Sequence, residues 1–257
     1  MNRVIRKKEL SFIIEYLDNT PDGIINPYTL SFIKCLSDAY QYLVMKVGHS
    51  HHINDLNTRM DACGVPPHVK DAINKCVLFH TAPAPGVLIG AFMIDYAMDL
   101  LGITPDQKIY GVCETPKCLP DALQVIAHCT TGNNRLTIVP IGKFAITLNT
   151  ATKESAADAV RVYVDLEKLK KFPVIDIWYA NSPEYDKATM NESLQMEIFR
   201  AGRQILSFEH VRIKVSGKKK WKSVTCPCCG ETVPDYLIEG DHCGACGSMK
   251  YYEKIPG

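Results

Sequence analysis

Residues 108–124 read KIYGVCETPKCLPDALQ and pass from strand through turn into helix. Positions 108–113 read as a strand. Pro120 stands where the first turn of a helix tolerates proline, so a short helix is expected from Pro120 to about His128. The dense apolar segment 87–101, with Phe92, Met93, Ile94, Tyr96 and Met98, precedes this stretch and ends at Gly102 as a C-cap would. It predicts a buried helix.

Towards the N-terminus, Leu30, Ile33, Leu36, Tyr40, Leu43, Val44 and Val47 recur at helical spacing and predict an amphipathic helix over 28–47. His49, His51 and His52 follow it; they read as a polar helix end, although clustered imidazoles can also bind metal. Pro66-Pro67 opens a helix over 67–78. Towards the C-terminus, 136–148 reads as two strands turning near Gly142-Lys143, and Val160 to Val164 alternate as a further strand. Ser182-Pro183-Glu184 supplies an N-cap with proline behind it, and Met190, Leu194, Ile198, Ala201 and Ile205 form one stripe down the expected helix. Val211, Ile213 and Val215 alternate after it. Helices come first and strands mixed with helices follow, which fits α+β better than a repeating parallel βαβ fold. The sequence contains no internal repeat, dinucleotide fingerprint, Walker loop or nucleophile elbow.

The 257 residues are 46% hydrophobic and 22% charged, enough for a sizeable core and unlike a disordered or fibrous chain. Lys and Arg number 29 against 28 Asp and Glu, so no strong field points to nucleic acid or an anionic membrane. The most apolar uncharged run, 81–94, is too short to span a bilayer, and the basic start MNRVIRKKELSF lacks the apolar run of a secretory signal. A cytoplasmic location is expected. There, eleven cysteines imply metal binding or thiol chemistry in place of a disulfide framework.

Cys226, Cys229, Cys243 and Cys246 form two C-x-x-C-G knuckles, a spacing that closes a tetrahedral four-thiolate site. Zinc suits it, in a structural role, because a tail this small has too little core to fold without metal. Cys228 is the spare thiol of the first knuckle, and His242 is an alternative donor. Arg212, Lys214, Lys218, Lys219, Lys220 and Lys222 around Trp221 could make the module a nucleic-acid ribbon, but residues 224–257 hold five acids against two lysines. A solvated linker is the better reading.

In the centre, Phe79-His80-Thr81-Ala82-Pro83-Ala84-Pro85-Gly86 presents an imidazole in a tight loop before the apolar helix. Cys118 precedes the helix begun by Pro120, where the dipole favours a thiolate, and Cys118, Asp121 and Gln124 can share one face. Cys129 lies roughly 16 Å further along if the helix is unbroken, too far to share an ion with Cys118. Either the helix breaks first or Cys129 serves elsewhere. For Cys113 and Cys129 a buried apolar role is as good a reading as a functional one.

These residues resemble the E-subunit proteins of formylmethanofuran dehydrogenase, a family of anaerobic prokaryotes. Glu114, Thr115, Cys118, Asp121, Ala122 and Gln124 match that family's E-T-x-x-C-x-x-D-A-x-Q segment in full. Cys129, Thr130 and Gly132 match its G-C-T-x-G, and Gly142-Lys143 its later G-K. The loop F-H-G-H-x-C-P-G matches only at Phe79, His80, Pro85 and Gly86; Thr81 replaces Gly, Ala82 the second His and Ala84 the Cys, and His128 stands where the family has Gly. The resemblance covers about 75–165. It implies helices on a mixed, largely antiparallel sheet similar to the catalytic domain of glyceraldehyde-3-phosphate dehydrogenase, a homodimer, and a small zinc-ribbon or treble-clef tail.

The leading reading is therefore a metal-binding accessory protein that handles a metal or metal cofactor in anaerobic one-carbon or molybdenum/tungsten metabolism. His80, Cys118, Asp121, Gln124, His128 and Cys129 are the expected cofactor-binding residues, with His128 replacing a lost imidazole, and a molybdenum or tungsten enzyme is the expected partner. The opened loop also leaves space for a larger cofactor such as a tetrapyrrole or pterin. A second reading makes Cys118 a catalytic thiol with His80 or His128 as base. A third makes the tail a nucleic-acid-binding regulator. The expected organisation is a helical extension over 1–70, an α+β core over 71–217 and the zinc module over 218–257.

Overall fold

The structure, a computed structural model, describes residues 53–215, 220–253 and 255. The expected helix over 28–47, the histidines His49, His51 and His52, and Lys218 and Lys219 lie outside the described residues. Helix α1 covers 53–62. Its Leu56 and Met60 are fully enclosed by the same apolar cluster as the rest of the core, so packing does not stop at position 70. Helix α2 (Pro67–His80) starts on a proline, as expected, and ends at Thr81, whose φ of 67° is left-handed. Helix α3 (Pro85–Leu101) is the centre of the fold. It is apolar on nearly every side because helices pack on one flank and the sheet on the other, and the amide of left-handed Gly102 closes it on the Asp99 and Met98 carbonyls.

Strand β1 (Ile109–Cys113) leads into helix α4 (Leu119–Ile126), then β2 (Leu136–Ile138), β3 (Ala145–Thr150) and β4 (Ala156–Val164). Two short helices, α5 (Leu166–Leu169) and α6 (Pro173–Tyr179), precede α7 (Lys187–Ala201) and strand β5 (Leu206–Lys214). The five strands form one mixed sheet in the order β2-β1-β3-β4-β5, with β1 and β2 parallel and every other pair antiparallel. The α+β expectation holds, with helices α2, α3 and α4 packed on one another and α3 laid across β3 and β4.

Two local expectations fail. Residues 136–148 do form two strands around Gly142, but they do not pair with each other: β1 runs between them, with Gly111 opposite both Leu136 and Leu148. Ser182 is not the cap of α7 either. Its amide closes the end of α6 on Ile177, and Asp186 caps α7 by accepting from the Ala188 amide at 3.0 Å and the Thr189 hydroxyl at 2.7 Å. A carboxylate one turn closer to the apolar stripe competes successfully with Ser182.

Sheet periodicity sorts the side chains. Ile146 and Leu148 face the helices together with their partners Val162 and Val160, whereas Thr147 and Arg161, opposite each other in the register, point to the other face. The tail is separate in construction: a hairpin of β6 (Ser223–Thr225) and β7 (Thr232–Pro234), then a second of β8 (Ile238–Glu239) and β9 (His242–Cys243). No described helix is long and apolar enough to cross a membrane.

Candidate functional site

The loop between β1 and α4 decides the geometry of the central site. Cys118 has φ 57° and ψ −55°, and the Leu119 amide bonds back to the Lys117 carbonyl at 2.6 Å. That is a γ-turn of positive φ, a rare and strained conformation, and the chain enters it immediately before a helix. The strain is held by firm anchors. The Cys113 thiol donates to the Thr115 carbonyl at 3.0 Å, and the Lys117 amide donates to the Thr115 hydroxyl at 3.2 Å. Glu114 accepts both arms of the Arg161 guanidinium, at 2.6 and 2.9 Å, across the sheet face opposite the helices.

The turn presses the Cys118 side chain against the start of α3. A Cβ placed on Gly86 would lie 2.9 Å from the Cys118 Cβ and 3.0 Å from its Sγ, with the Phe144 ring next nearest. Glycine is required there by close approach, not by backbone angle. Gly86→Ala is expected to cost about 1–3 kcal/mol of stability through overpacking, read as a lower urea midpoint, and to push Cys118 out of place. An unchanged midpoint would mean the two segments do not touch.

His80, the last residue of α2, hydrogen-bonds through Nδ1 to Asp121 Oδ2 at 2.6 Å, so two of the expected residues meet with Cys118 beside them at the start of α4. Gln124 lies half-buried one turn along that helix. His128 and Cys129 are not part of this group. Helix α4 ends at Ile126, so the break before Cys129 does occur, and the Cys129 thiol is buried with its proton shared between the Ile109 and Ala127 carbonyls at 3.3 and 3.5 Å. His128 is exposed beyond the opposite end of α4 from Cys118, about 12 Å away along eight helical residues, and cannot replace a donor lost near His80.

Gln195 is a site residue that sequence reasoning misses. It is fully buried on α7, its Nε2 donates to the Pro83 carbonyl at 3.4 Å, and its Oε1 accepts from Arg59. It ties the 81–84 loop to α1 and α7. A polar residue within an apolar stripe is the only sign of it in the chain.

Burial raises the Cys118 thiol above its ordinary value, with the Asp121 carboxylate adding to the effect and Lys117 opposing it. The expected dipole-stabilised thiolate is thus absent: α4 is short, and desolvation and a neighbouring anion outweigh it. Cys118 should react with iodoacetamide at pH 7 more slowly than the exposed Cys228, as peptide mapping of timed samples would show. Faster labelling of Cys118 would restore the catalytic-thiol reading. Cys76, one helical turn before His80, is raised further, to about 12, by burial and then by Asp121.

His80, Cys118 and Asp121 do not converge closely enough to share an ion. Among the described residues, the one group of three or more His, Cys, Asp or Glu side chains that does is Cys226, Cys229, Cys243 and Cys246, whose sulfurs all lie within 4.8 Å of one another. Cys229 and Cys243 are 3.9 Å apart at sulfur, and Cys243 and Cys246 3.7 Å. A metal–sulfur bond of about 2.3 Å gives a tetrahedral edge of about 3.8 Å, so the donor set fits a four-coordinate ion. Gly230 takes φ 75° to turn the first knuckle. Gly247 serves differently, since a Cβ there would collide with the His242 ring. His242 packs on that glycine and binds Asp241 through Nδ1 at 2.9 Å; it is not a fifth donor. Backbone amides, that of Cys229 foremost, hold the Cys226 thiol down at about 6, which suits a thiolate ligand.

A family model described as FmdE, molybdenum formylmethanofuran dehydrogenase operon, matches residues 79–214. The crystal structure of an FmdE-like protein of tungsten formylmethanofuran dehydrogenase, from Syntrophus aciditrophicus, is 36% identical with a TM-score of 0.60, covering 72% of this chain and 95% of that one. An Archaeoglobus fulgidus protein named "Probable S-adenosyl-L-methionine-binding protein" is 30% identical over 178 residues, 66% of this chain. The chain spans 42% of that relative's length. With the matched segment taking in more than half of the residues, from the His80 loop to the end of β5, this chain belongs to the FmdE family.

Proposed function

We propose that this protein is a cytoplasmic accessory protein, a homodimer, that handles a metal-containing cofactor in molybdenum- or tungsten-dependent one-carbon metabolism of anaerobes, with a structural zinc in its tail. The observation that carries this reading is Cys118, held in a strained turn against the start of α3 with the His80–Asp121 pair alongside. Strain of this kind persists where surrounding structure enforces it, commonly at sites that bind or react. Family membership and the Syntrophus protein's description support the metabolic setting.

The residues present do not fit a resident bare ion in the core. Thr81, Ala82 and Ala84 supply no imidazole or thiol, His80 is engaged by Asp121, and one protonated Cys118 leaves the donor set incomplete. A ligand that brings most of its own coordination, and needs one thiol and one imidazole to seat it beside small loop residues, matches what is there. The chain's contribution is then positioning: Glu114–Arg161 fixes the turn, Gln195 fixes the loop, and Gly86 admits the Cys118 side chain.

The test is metal analysis and absorption spectra of anaerobically purified full chain, of Cys118→Ser and of Cys243→Ser. One equivalent of zinc lost only in Cys243→Ser, with a chromophore or second metal lost only in Cys118→Ser, is the expected pattern. Zinc alone in the native protein, and no cofactor taken up on incubation with molybdenum or tungsten cofactor extracts, would refute the core assignment. The Archaeoglobus relative supplies a second probe: calorimetric binding of S-adenosyl-L-methionine that disappears in Cys118→Ser would assign the pocket to that class of ligand instead.

A further inference from the structure

At the far end of α4 from Cys118, a depression of about 620 Å³ opens between the turn after Gly102 and the segment that follows α4; it is lined by Pro105, Asp106, Gln107, Lys108, His128 and Arg135. Three of the six lining side chains are basic, and none of them forms an ion pair among the described residues. The Lys108 ammonium lies 5.7 Å from the centroid of the Tyr110 ring, its one described interaction. The single carboxylate, Asp106, is turned to the Thr104 side chain, not to Lys108 or Arg135. We propose that this depression binds a phosphate group, held by the Arg135 guanidinium, the Lys108 ammonium and the His128 imidazole.

The frame around these groups is rigid. Asn133 bonds to the Thr130 amide at 3.1 Å, the Arg135 amide at 3.0 Å and the His128 carbonyl at 2.9 Å, closing 128–135 into a compact loop. The Arg135 carbonyl accepts from the Gly111 amide at 2.8 Å, which fastens the base of the arginine to β1. Arg135 is half-buried, so its planar fork emerges from a fixed stem. His128 has φ 52°, a left-handed backbone that carries an exposed side chain with no apolar packing to justify it. A guanidinium and two further donors around an open polar cavity match the tetrahedral oxygens of a phosphate, with the guanidinium able to take two of them together. The competing account is that these cations merely answer the negative C-terminal end of α4. That account asks for stability from the same residues and no ligand.

Full-length protein would be titrated by calorimetry with inorganic phosphate and separately with ADP, with sulfate-free chloride buffer throughout. Binding tighter than about 10 mM is expected, weakened about tenfold or more in Arg135→Ala and several-fold in Lys108→Ala, with melting temperature nearly unchanged. His128→Gly removes both the imidazole and the backbone strain, so it should bind several-fold more weakly and melt higher. ADP binding much tighter than phosphate identifies a nucleotide as the source of the group, and equal affinity identifies free phosphate. No binding of either probe by the native chain overturns the proposal. So does binding that survives Arg135→Ala and Lys108→Ala, or a lowered melting temperature in those variants with affinity unchanged.

Discussion

Replacing Cys243 with serine is expected to strip metal from the tail and unfold residues 220–253, while the melting transition of the α+β core stays in place. The reason is the poverty of the tail's interior. Among its described residues only Cys226 and Cys243 are buried, whereas Trp221, Tyr236, Leu237, Met249 and Tyr251 are exposed. Two-residue and three-residue strands cannot hold such a segment, so its folding free energy is metal binding, of order 10–16 kcal/mol for structural zinc near neutral pH. Limited proteolysis reads the result: the variant, or native protein treated with a strong chelator, should be cut throughout 220–253 and spared in the core. A tail that stays protease-resistant without metal would overturn the structural role of the four thiols.

The second large effect is expected in the β1–α4 turn. Arg161→Met should destabilise the core by about 3 kcal/mol, because it leaves Glu114, only 9% exposed, with a buried charge and no bidentate partner. The further contact from Arg161 to Glu209 at 3.2 Å reaches a half-exposed carboxylate and adds little. The Arg161 guanidinium holds the Glu114 carboxyl below its ordinary value of 4.5. The pair therefore stabilises the fold fully above about pH 4.5, and that contribution is lost as pH falls from there through the lower folded value. Urea unfolding at pH 7 and at pH 3.5 should separate native and Arg161→Met protein widely at the first and much less at the second. Adding Glu114→Gln to the variant should recover part of the loss at neutral pH. Equal midpoints for native and variant protein at pH 7 would show that the pair carries no weight.

Features written in short stretches of chain are legible without a structure. The knuckles of Cys226 to Cys246, the buried helix ending at Gly102, and the strand, turn and helix of 108–124 all depend on neighbours within a few residues. His80 with Cys118 and Asp121 is recoverable from motif resemblance. What is not legible is long-range pairing. Nothing near 136–148 says that β1 will occupy the space between its two strands, and nothing near Glu114 says that Arg161 will be its partner. The strain at Cys118 is equally hidden, since a cysteine before Leu119-Pro120 reads as an ordinary helix cap until its φ is seen. His128 misleads because its neighbourhood in sequence with Cys129 says nothing about which end of α4 it occupies.

The position of β1 between β2 and β3 also fixes an order of assembly. Both strands that flank it come later in the chain, and neither can be replaced by a local hairpin. During synthesis β1 and the α4 segment leave the ribosome with no partner until residues 136–150 have followed them. The Cys118 turn can be compressed against α3 only once that sheet has closed, so the site is among the last parts of the domain to form.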